Sequence, residues 1–158
     1  MTQVVTLLLW FCALGCGVMA GLYFAFSTFI MTALGRIEQA HGVSAMNAIN
    51  VAIQQSLFMP IFLGTTLAAL VLAIIAVFRW DQPGSMAMVA GGLVYVLGMF
   101  AVTMVFNVPL NNALAAVDPA EAQSVWARYL KDWTWWNHVR TVSSLAGSAF
   151  FIAAIAAR

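Results

Sequence analysis

Charged side chains are scarce in this chain, and their scarcity excludes a soluble globular domain. Only 7% of the 158 residues are Asp, Glu, Lys or Arg, whereas 64% are hydrophobic, and the mean hydropathy is +0.97. A soluble domain carries roughly 25% charged residues. The formal net charge is +1, and no basic run exists that could bind nucleic acid. The composition therefore indicates a membrane protein with no nucleic-acid partner.

Cysteines and carboxylates, which redox chemistry or metal binding would need, are also rare in the predicted spans. Cys12 and Cys16 lie four residues apart, whereas a redox motif has two intervening residues and a structural zinc site needs more ligands. We interpret them as small packing residues. No carboxylate lies within a predicted span, which argues against a proton-coupled transporter and an oxygen-ligated metal pair. We accordingly expect no metal and no bound cofactor.

The chain contains long runs of apolar residues with no charged side chain. A spanning helix needs about 20 largely apolar residues. The runs predict an all-α, four-helix transmembrane bundle that forms one domain over residues 1–158. The predicted spans are 4–34, 58–79, 86–108 and 136–157. The first run is much longer than a signal-peptide core and no Lys or Arg precedes it, so we expect no cleavable signal peptide. The expected location is the cell membrane, as a multi-pass protein.

The first of the two longer links is predicted to contain a short interfacial helix. Residues 41–43 (HGV) are interpreted as a break after the first span, and Ser44 can then cap a helix that runs to Gln55. Three amide side chains fall at positions i, i+3 and i+7 of this helix, which is one face. They are Asn47, Asn50 and Gln54.

The link between the third and fourth spans is predicted to contain a second interfacial helix. Residues 118–121 (DPAE) form a capping box with proline at the first helical position. The apolar residues behind it share one face, which is typical of a helix that lies flat at the membrane surface. The remaining link, 81–85 (DQPGS), is a turn by composition.

Polar side chains gather at the end of the bundle where the two longer links lie. Polar residues at membrane depth are costly and indicate a functional site by default. If the runs cross the membrane in series, three groups meet on one side of it. The groups are Asn47, Asn50 and Gln54; Asn107 and Asn111; and Asn137, His138 and Arg140.

Arg140 is the residue in these groups with the clearest chemical use. Asn137, Arg140 and Ser144 form one stripe of the last helix, so we expect this side to face the interior of the bundle. A guanidinium there could hold an anionic oxygen. The alternative is that Arg140 extends to the lipid headgroups.

Proline and aromatic residues offer a second set of site features. Pro109 removes a backbone donor between Asn107 and Asn111, and the two amides either cap loose backbone groups at a helix end or point into a pocket. Several aromatic side chains could line that pocket, although most aromatics in membrane helices face lipid or core. They are Trp10, Tyr23, Phe24, Phe26, Phe29 and Trp136.

Four segments occur in an order that resembles the anthrone oxygenase-like membrane proteins, a family largely of unknown function. They are 21–27 (GLYFAFS), 46–50 (MNAIN), 107–111 (NVPLN) and 133–140 (WTWWNHVR). The resemblance implies a four-helix membrane protein related to fungal oxygenases that convert anthrones to anthraquinones with dioxygen and no evident cofactor. The chain departs from the pattern at Thr32, near which we would expect a proline.

The resemblance and the residues together give three functional hypotheses. The first is a cofactor-independent oxygenase acting on a small hydrophobic aromatic, in which Arg140 supplies the charge, and Asn137, Asn107 and Asn111 orient the substrate. His138 or water would serve as the base. Predicted substrate-binding residues are Asn47, Asn50, Gln54, Tyr23, Phe24, Ser27, Trp136 and Ser144.

The second hypothesis is a non-catalytic membrane protein that binds a lipid or a small hydrophobic ligand through the same residues. The third is a haem-binding redox protein, which would require His41 and His138 to converge. The expected partners are the lipid bilayer and a small hydrophobic ligand or substrate. The sequence leaves the membrane orientation and the oligomeric state open.

Overall fold

The structure, a computed structural model, describes residues 3–118 and 121–157 and consists of helices, with no strand in those residues. The five helices are α1 (Gln3–Leu34), α2 (Gln39–Gln54), α3 (Phe58–Val77), α4 (Ser85–Ala115) and α5 (Ala122–Ala156). All except α2 are long and apolar enough to cross a membrane. The prediction of an all-α, multi-pass bundle of four transmembrane helices is confirmed.

The helix α2 begins earlier than predicted. It starts at Gln39 instead of Ser44, and the predicted break at 41–43 is wrong, because the backbone N–H of Gly42 donates a helical hydrogen bond to Glu38. Gly42 lies against the ring of Trp126, where an added Cβ would come within 2.8 Å of the ring. The glycine therefore permits close contact between α2 and α5 and does not end a helix.

The helix α5 joins two segments that the sequence divides. The stretch predicted to lie flat on the membrane is helical, but it continues directly into the last span, because no proline interrupts residues 122–156. Residues 119 and 120 of the predicted capping box lie outside the described residues. The predicted turn at 81–85 is confirmed in position, since α3 ends at Val77 and α4 begins at Ser85 after Gly84, whose φ is +83°.

The backbone of α4 widens into π-helical turns at Val96–Ala101 and Thr103–Asn107. The N–H of Val108 bonds to the carbonyl of Thr103, five residues earlier. In a regular α-helix, Pro109 would clash with the carbonyl four residues before it. The wider turn accommodates the proline, so α4 continues to Ala115 where the sequence predicts an end near 108. Such turns recur at functional sites.

Helix packing differs between the two ends of the bundle. Toward the short 81–85 link, α3 and α4 touch, and a Cβ at Gly92 would lie 2.7 Å from the Cβ of Ala73. Toward the long links, the rings of Phe62 and Phe100 lie 5.5 Å apart. Beyond that pair, the helices separate around a cavity. We call this end of the bundle the long-link end.

Candidate functional site

A cavity of about 330 Å³ lies at the long-link end, with walls from all five helices. Its walls are mostly apolar and aromatic, which is the usual composition of a small-molecule site. The polar side chains converge within this apolar surround. They are Asn50, Gln54, Thr103, Asn111, Asn112 and Arg140. The three groups of polar residues predicted to meet on one side thus each contribute at least one residue to a single cavity.

Arg140 lies in the wall of this cavity and is only 5% exposed. Its Nη2 donates a hydrogen bond of 2.7 Å to Asn137 Oδ1, and its Nη1 donates a longer one of 3.5 Å to Thr103 Oγ1. The guanidinium carbon is 4.3 Å from the ring centroid of Tyr23 and 4.9 Å from that of Trp133. The prediction that this face of the last helix looks into the bundle is confirmed, and the alternative of a headgroup contact is excluded by the burial.

No carboxylate neutralises the Arg140 charge among the described residues. Between pairs of residues in 3–118 and 121–157, the one contact within 4.0 Å between a basic and an acidic side chain joins His41 and Glu38 on the exposed surface. The Nε of Arg140 is buried and has no hydrogen-bond partner in that part of the chain. An unpaired charge in an apolar interior is costly. The two aromatic faces offset part of this cost through cation–π attraction, and an anionic ligand in the cavity would supply the missing counter-charge.

Asn137 fixes the orientation of the Arg140 side chain. Its Nδ2 donates to the backbone carbonyl of Tyr23 and to Ser27 Oγ, both at 2.7 Å, which leaves Oδ1 to accept from Arg140. Ser27 is also within 3.1 Å of Thr141 Oγ1. Asn137 is fully buried. The chain of hydrogen bonds therefore ties α1 to α5 and holds the guanidinium at the cavity wall.

Asn111 lines the cavity and connects two aromatic side chains of α5. Its Oδ1 accepts hydrogen bonds of 2.8 Å from Tyr129 Oη and from Trp133 Nε1. Both partners donate, so the oxygen assignment of the amide is fixed. The indole of Trp133 thus contacts Asn111 through its N–H edge and the Arg140 guanidinium through its ring face.

Other predicted site residues are buried near the cavity but do not line it. Asn107 is fully buried, its Nδ2 donates to the carbonyl of Trp133 at 3.2 Å, and its Oδ1 has no partner in the described residues. Within the same residues, Asn47 Oδ1 and Ser144 Oγ are likewise buried without partners. Asn107 therefore supports the position of the Trp133 backbone.

The remaining predicted substrate-binding residues divide between cavity and outer surface. Tyr23 lines the cavity, and Gln54 lies at its edge, where its Nε2 bonds to the Asn50 carbonyl at 3.0 Å. Phe24 is 55% exposed, does not line the cavity, and is left out of the site. Trp136 stacks on Phe106 with centroids 3.6 Å apart, also outside the lining.

Several residues at the site escaped the sequence prediction. Thr103 bonds to Arg140 and lies four residues before Asn107 on the same helix, so a search one turn along the motif would have found it. Trp133 precedes Asn137 by four residues and Arg140 by seven, which places all three on one face. Phe62 lines the cavity from α3, and no local pattern marks it.

The histidines do not converge on the cavity. His41 and His138 are both exposed, and neither lines the cavity. Within residues 3–118 and 121–157, no group of three or more His, Cys, Asp or Glu side chains could hold a metal ion. The geometry of the described residues thus gives no support to the haem hypothesis or to His138 as a base inside the cavity.

A comparison with models of protein families gives a match. The model of the anthrone oxygenase family matches residues 49–150, more than half of the chain, and this range includes Asn111, Asn137 and Arg140. The searches of curated proteins and of solved structures gave no match. The matched range begins after α1, so Tyr23, which lines the cavity, and Ser27, which accepts a hydrogen bond from Asn137, lie outside it. Because the family model matches more than half of its residues, the chain belongs to the anthrone oxygenase family.

Proposed function

We propose that the protein oxidises a small hydrophobic aromatic with dioxygen, and that Arg140 holds the oxygen on which negative charge develops. The observation that carries the proposal is a buried guanidinium in an apolar cavity, with no carboxylate within 4.0 Å among the described residues. A fixed positive charge in a water-poor site stabilises an oxyanion far more than it would in water. The family membership supports an anthrone as the substrate class.

The chemistry requires little from the protein beyond this charge. An anthrone loses a proton from its ring methylene to give an enolate, whose oxygen would face the Arg140 guanidinium. The enolate carbon transfers electrons to dioxygen and forms a carbon–oxygen bond, and the peroxide anion then takes up a proton from water to become a hydroperoxide. Loss of water from the resulting hydroperoxide leaves a second carbonyl, so that one oxygen atom enters the anthraquinone and the other leaves as water. The substrate is the reductant, and dioxygen is the oxidant.

Proton removal is assigned to water. The described residues that line the cavity include no Asp, Glu, His or Lys side chain. The charge of Arg140 favours the ionised form of a bound substrate, since an opposite charge within about 4–6 Å lowers the pKa of an acid by 1–3 units. Asn137 acts as a positioning residue, because it touches Arg140 and not the cavity.

We propose that the protein is a multi-pass protein of the cell membrane and that its substrate reaches the cavity from the lipid. The cavity wall includes Met104, which is 49% exposed on the outer surface of α4, and Met59 at the start of α3. A lipid-dissolved aromatic could therefore enter sideways, between α3 and α4. The flexible thioether side chains there can rearrange around entering ligands of different shape.

An oxygen-electrode assay with detergent-purified protein and anthrone tests this proposal. We expect oxygen uptake with the unmodified protein and a loss of about 100- to 1000-fold for Arg140→Leu. The matched control is Arg128→Leu, which removes an exposed arginine of the same helix and should leave the rate unchanged. Equal rates for Arg140→Leu and the unmodified protein would contradict the assignment.

A second candidate function is non-catalytic binding of a lipid or small hydrophobic anion in the same cavity. No Asp, Glu, His or Lys side chain that could accept a proton is among the described lining residues, which favours this function because binding needs no proton acceptor. Equilibrium binding of anthraquinone, measured beside the oxygen assay, separates the two candidates. Binding that depends on Arg140 with no oxygen uptake from anthrone would support the second function and contradict the first.

A further inference from the structure

Three methionines line the cavity, and each comes from a different helix. Met46 lies on α2, Met59 on α3 and Met104 on α4. Their exposure on the outer surface differs, since Met46 is only 1% exposed, Met59 is half-buried and Met104 is 49% exposed. Three helices thus bring a thioether side chain to the same cavity.

The thioether groups are the side chains of this cavity that a peroxide oxidises most readily. Among the described lining residues there is no cysteine. The sulfur of a methionine is soft and polarizable, and a peroxide converts it to a sulfoxide. Because the wall is mostly apolar and aromatic, the cavity favours a hydrophobic peroxide over hydrogen peroxide.

We propose that the cavity also reduces hydrophobic organic hydroperoxides, with Met46, Met59 and Met104 as the oxygen acceptors. The sulfur attacks the outer oxygen of the hydroperoxide with a lone pair, so that a sulfur–oxygen bond forms as the oxygen–oxygen bond breaks. The hydroxyl proton passes to the departing alkoxide, which leaves as an alcohol. The thioether is oxidised by two electrons to a sulfoxide, and the hydroperoxide is reduced by two.

The inference rests on the proposed function for the source of the hydroperoxide, because oxidation of the ring methylene forms one in the same cavity. A hydroperoxide that does not lose water there would leave the protein as an oxidant. Transfer of its outer oxygen to a methionine converts it to an alcohol before it leaves. The sulfoxide returns to a thioether only through a methionine sulfoxide reductase, so each methionine acts once between two such reductions.

Met46 and Met31 form a pair that separates oxidation inside the cavity from oxidation by reagent in bulk solution. Both belong to one cluster of buried side chains, and they are 1% and 3% exposed. Met46 lines the cavity and Met31 does not. A reagent reaches Met31 only when the packing opens locally, whereas a hydroperoxide held in the cavity lies beside Met46. Met86, which is 71% exposed and does not line the cavity, serves as the exposed reference.

Cumene hydroperoxide, an aromatic hydroperoxide that is added ready-made to detergent-purified protein, tests the proposal without any turnover. Peptide mass spectrometry gives the rate of sulfoxide formation at each methionine. We expect Met46 to be oxidised at least about 10-fold faster than Met31, since only Met31 requires local opening. Cumene, which has the same carbon skeleton but no oxygen to transfer, should compete for the cavity. It should slow the oxidation of Met46 and Met59 and leave that of Met86 unchanged.

A triple variant with Met46→Leu, Met59→Leu and Met104→Leu tests the reduction itself. Leucine nearly conserves the volume of methionine, so the bundle should tolerate the three changes. Chromatography measures the alcohol released from cumene hydroperoxide, 2-phenyl-2-propanol. At hydroperoxide concentrations too low to oxidise Met86, we expect the triple variant to release at least about 5-fold less alcohol than the unmodified protein.

The matched control replaces three buried methionines that do not line the cavity, in Met19→Leu, Met31→Leu and Met88→Leu. It should release as much alcohol as the unmodified protein. Equal release by the two triple variants, or equal rates of oxidation at Met46 and Met31, would overturn the proposal. The added hydroperoxide bypasses the reaction with dioxygen, so a lack of oxygen uptake with anthrone would contradict the proposed function and leave this result standing.

Discussion

Arg140 Nη2 donates a hydrogen bond of 2.7 Å to Asn137 Oδ1, one turn earlier on α5. The same amide donates to Tyr23 and Ser27 on α1, so the guanidinium is held by a group that is itself held by a second helix. An uncharged amide fixes the orientation of the guanidinium without neutralising it. The arrangement therefore keeps a full positive charge available at the cavity wall.

Replacing that amide with a carboxylate should remove the available charge. In Asn137→Asp, the new side chain would form an ion pair with Arg140, and we expect phenolic ligands to bind about 10-fold more weakly because their counter-charge is taken. Isothermal titration with 2-naphthol measures the change. Ser27→Ala is the control, since it removes one partner of Asn137 and leaves the bond to Arg140. Unchanged affinity in Asn137→Asp would show that the ligand does not use this charge.

The width of the lateral opening should control access of large ligands. Met104→Trp places a bulky ring in the wall between α3 and α4. We expect anthraquinone to bind about 10-fold more weakly, because the added ring would clash with the ligand. Val105→Trp is the matched control, because Val105 is 60% exposed and does not line the cavity. Equal losses in both variants would argue against an opening at Met104.

Two glycines offer a test of the close packing between α3 and α4. At Gly92, an added Cβ would lie 2.7 Å from Ala73 and 2.8 Å from the carbonyl of Ala69, so Gly92→Ala should force α3 and α4 apart and lower the melting temperature. At Gly21, nothing lies within 4 Å, and Gly21→Ala should be neutral or stabilise by up to about 1 kcal/mol through helix propensity. Thermal unfolding in detergent compares the two, and a Gly92→Ala protein as stable as Gly21→Ala would contradict close packing of α3 and α4.

The sequence predicts the spans well because long apolar runs have few alternatives. It also predicts that Asn137 and Arg140 share a buried face, since the spacing of three residues on a helix fixes their relative direction. The sequence-based prediction is wrong where one local pattern is compatible with two different structures. Gly42 looks like a break and is a contact with Trp126, and Pro109 looks like an end but is accommodated by a wider turn.

The pairing of side chains across helices could not be predicted. The Tyr23 hydroxyl lies 3.5 Å from the sulfur of Met99, and Phe62 meets Phe100, yet these residues are far apart in the chain. Such contacts depend on helix tilt and rotation, which a hydropathy pattern leaves open.

The most direct measurement is the ionisation of a coloured ligand inside the cavity. 2-Hydroxyanthraquinone changes its visible absorption when its phenol ionises, so a pH titration reports the pKa of the bound ligand. Because Arg140 favours the phenolate, this pKa should lie about 1–3 units below that of the same compound in empty detergent micelles. In Arg140→Leu the difference should vanish. A bound ligand whose pKa is unchanged or raised in the unmodified protein would contradict the oxyanion site.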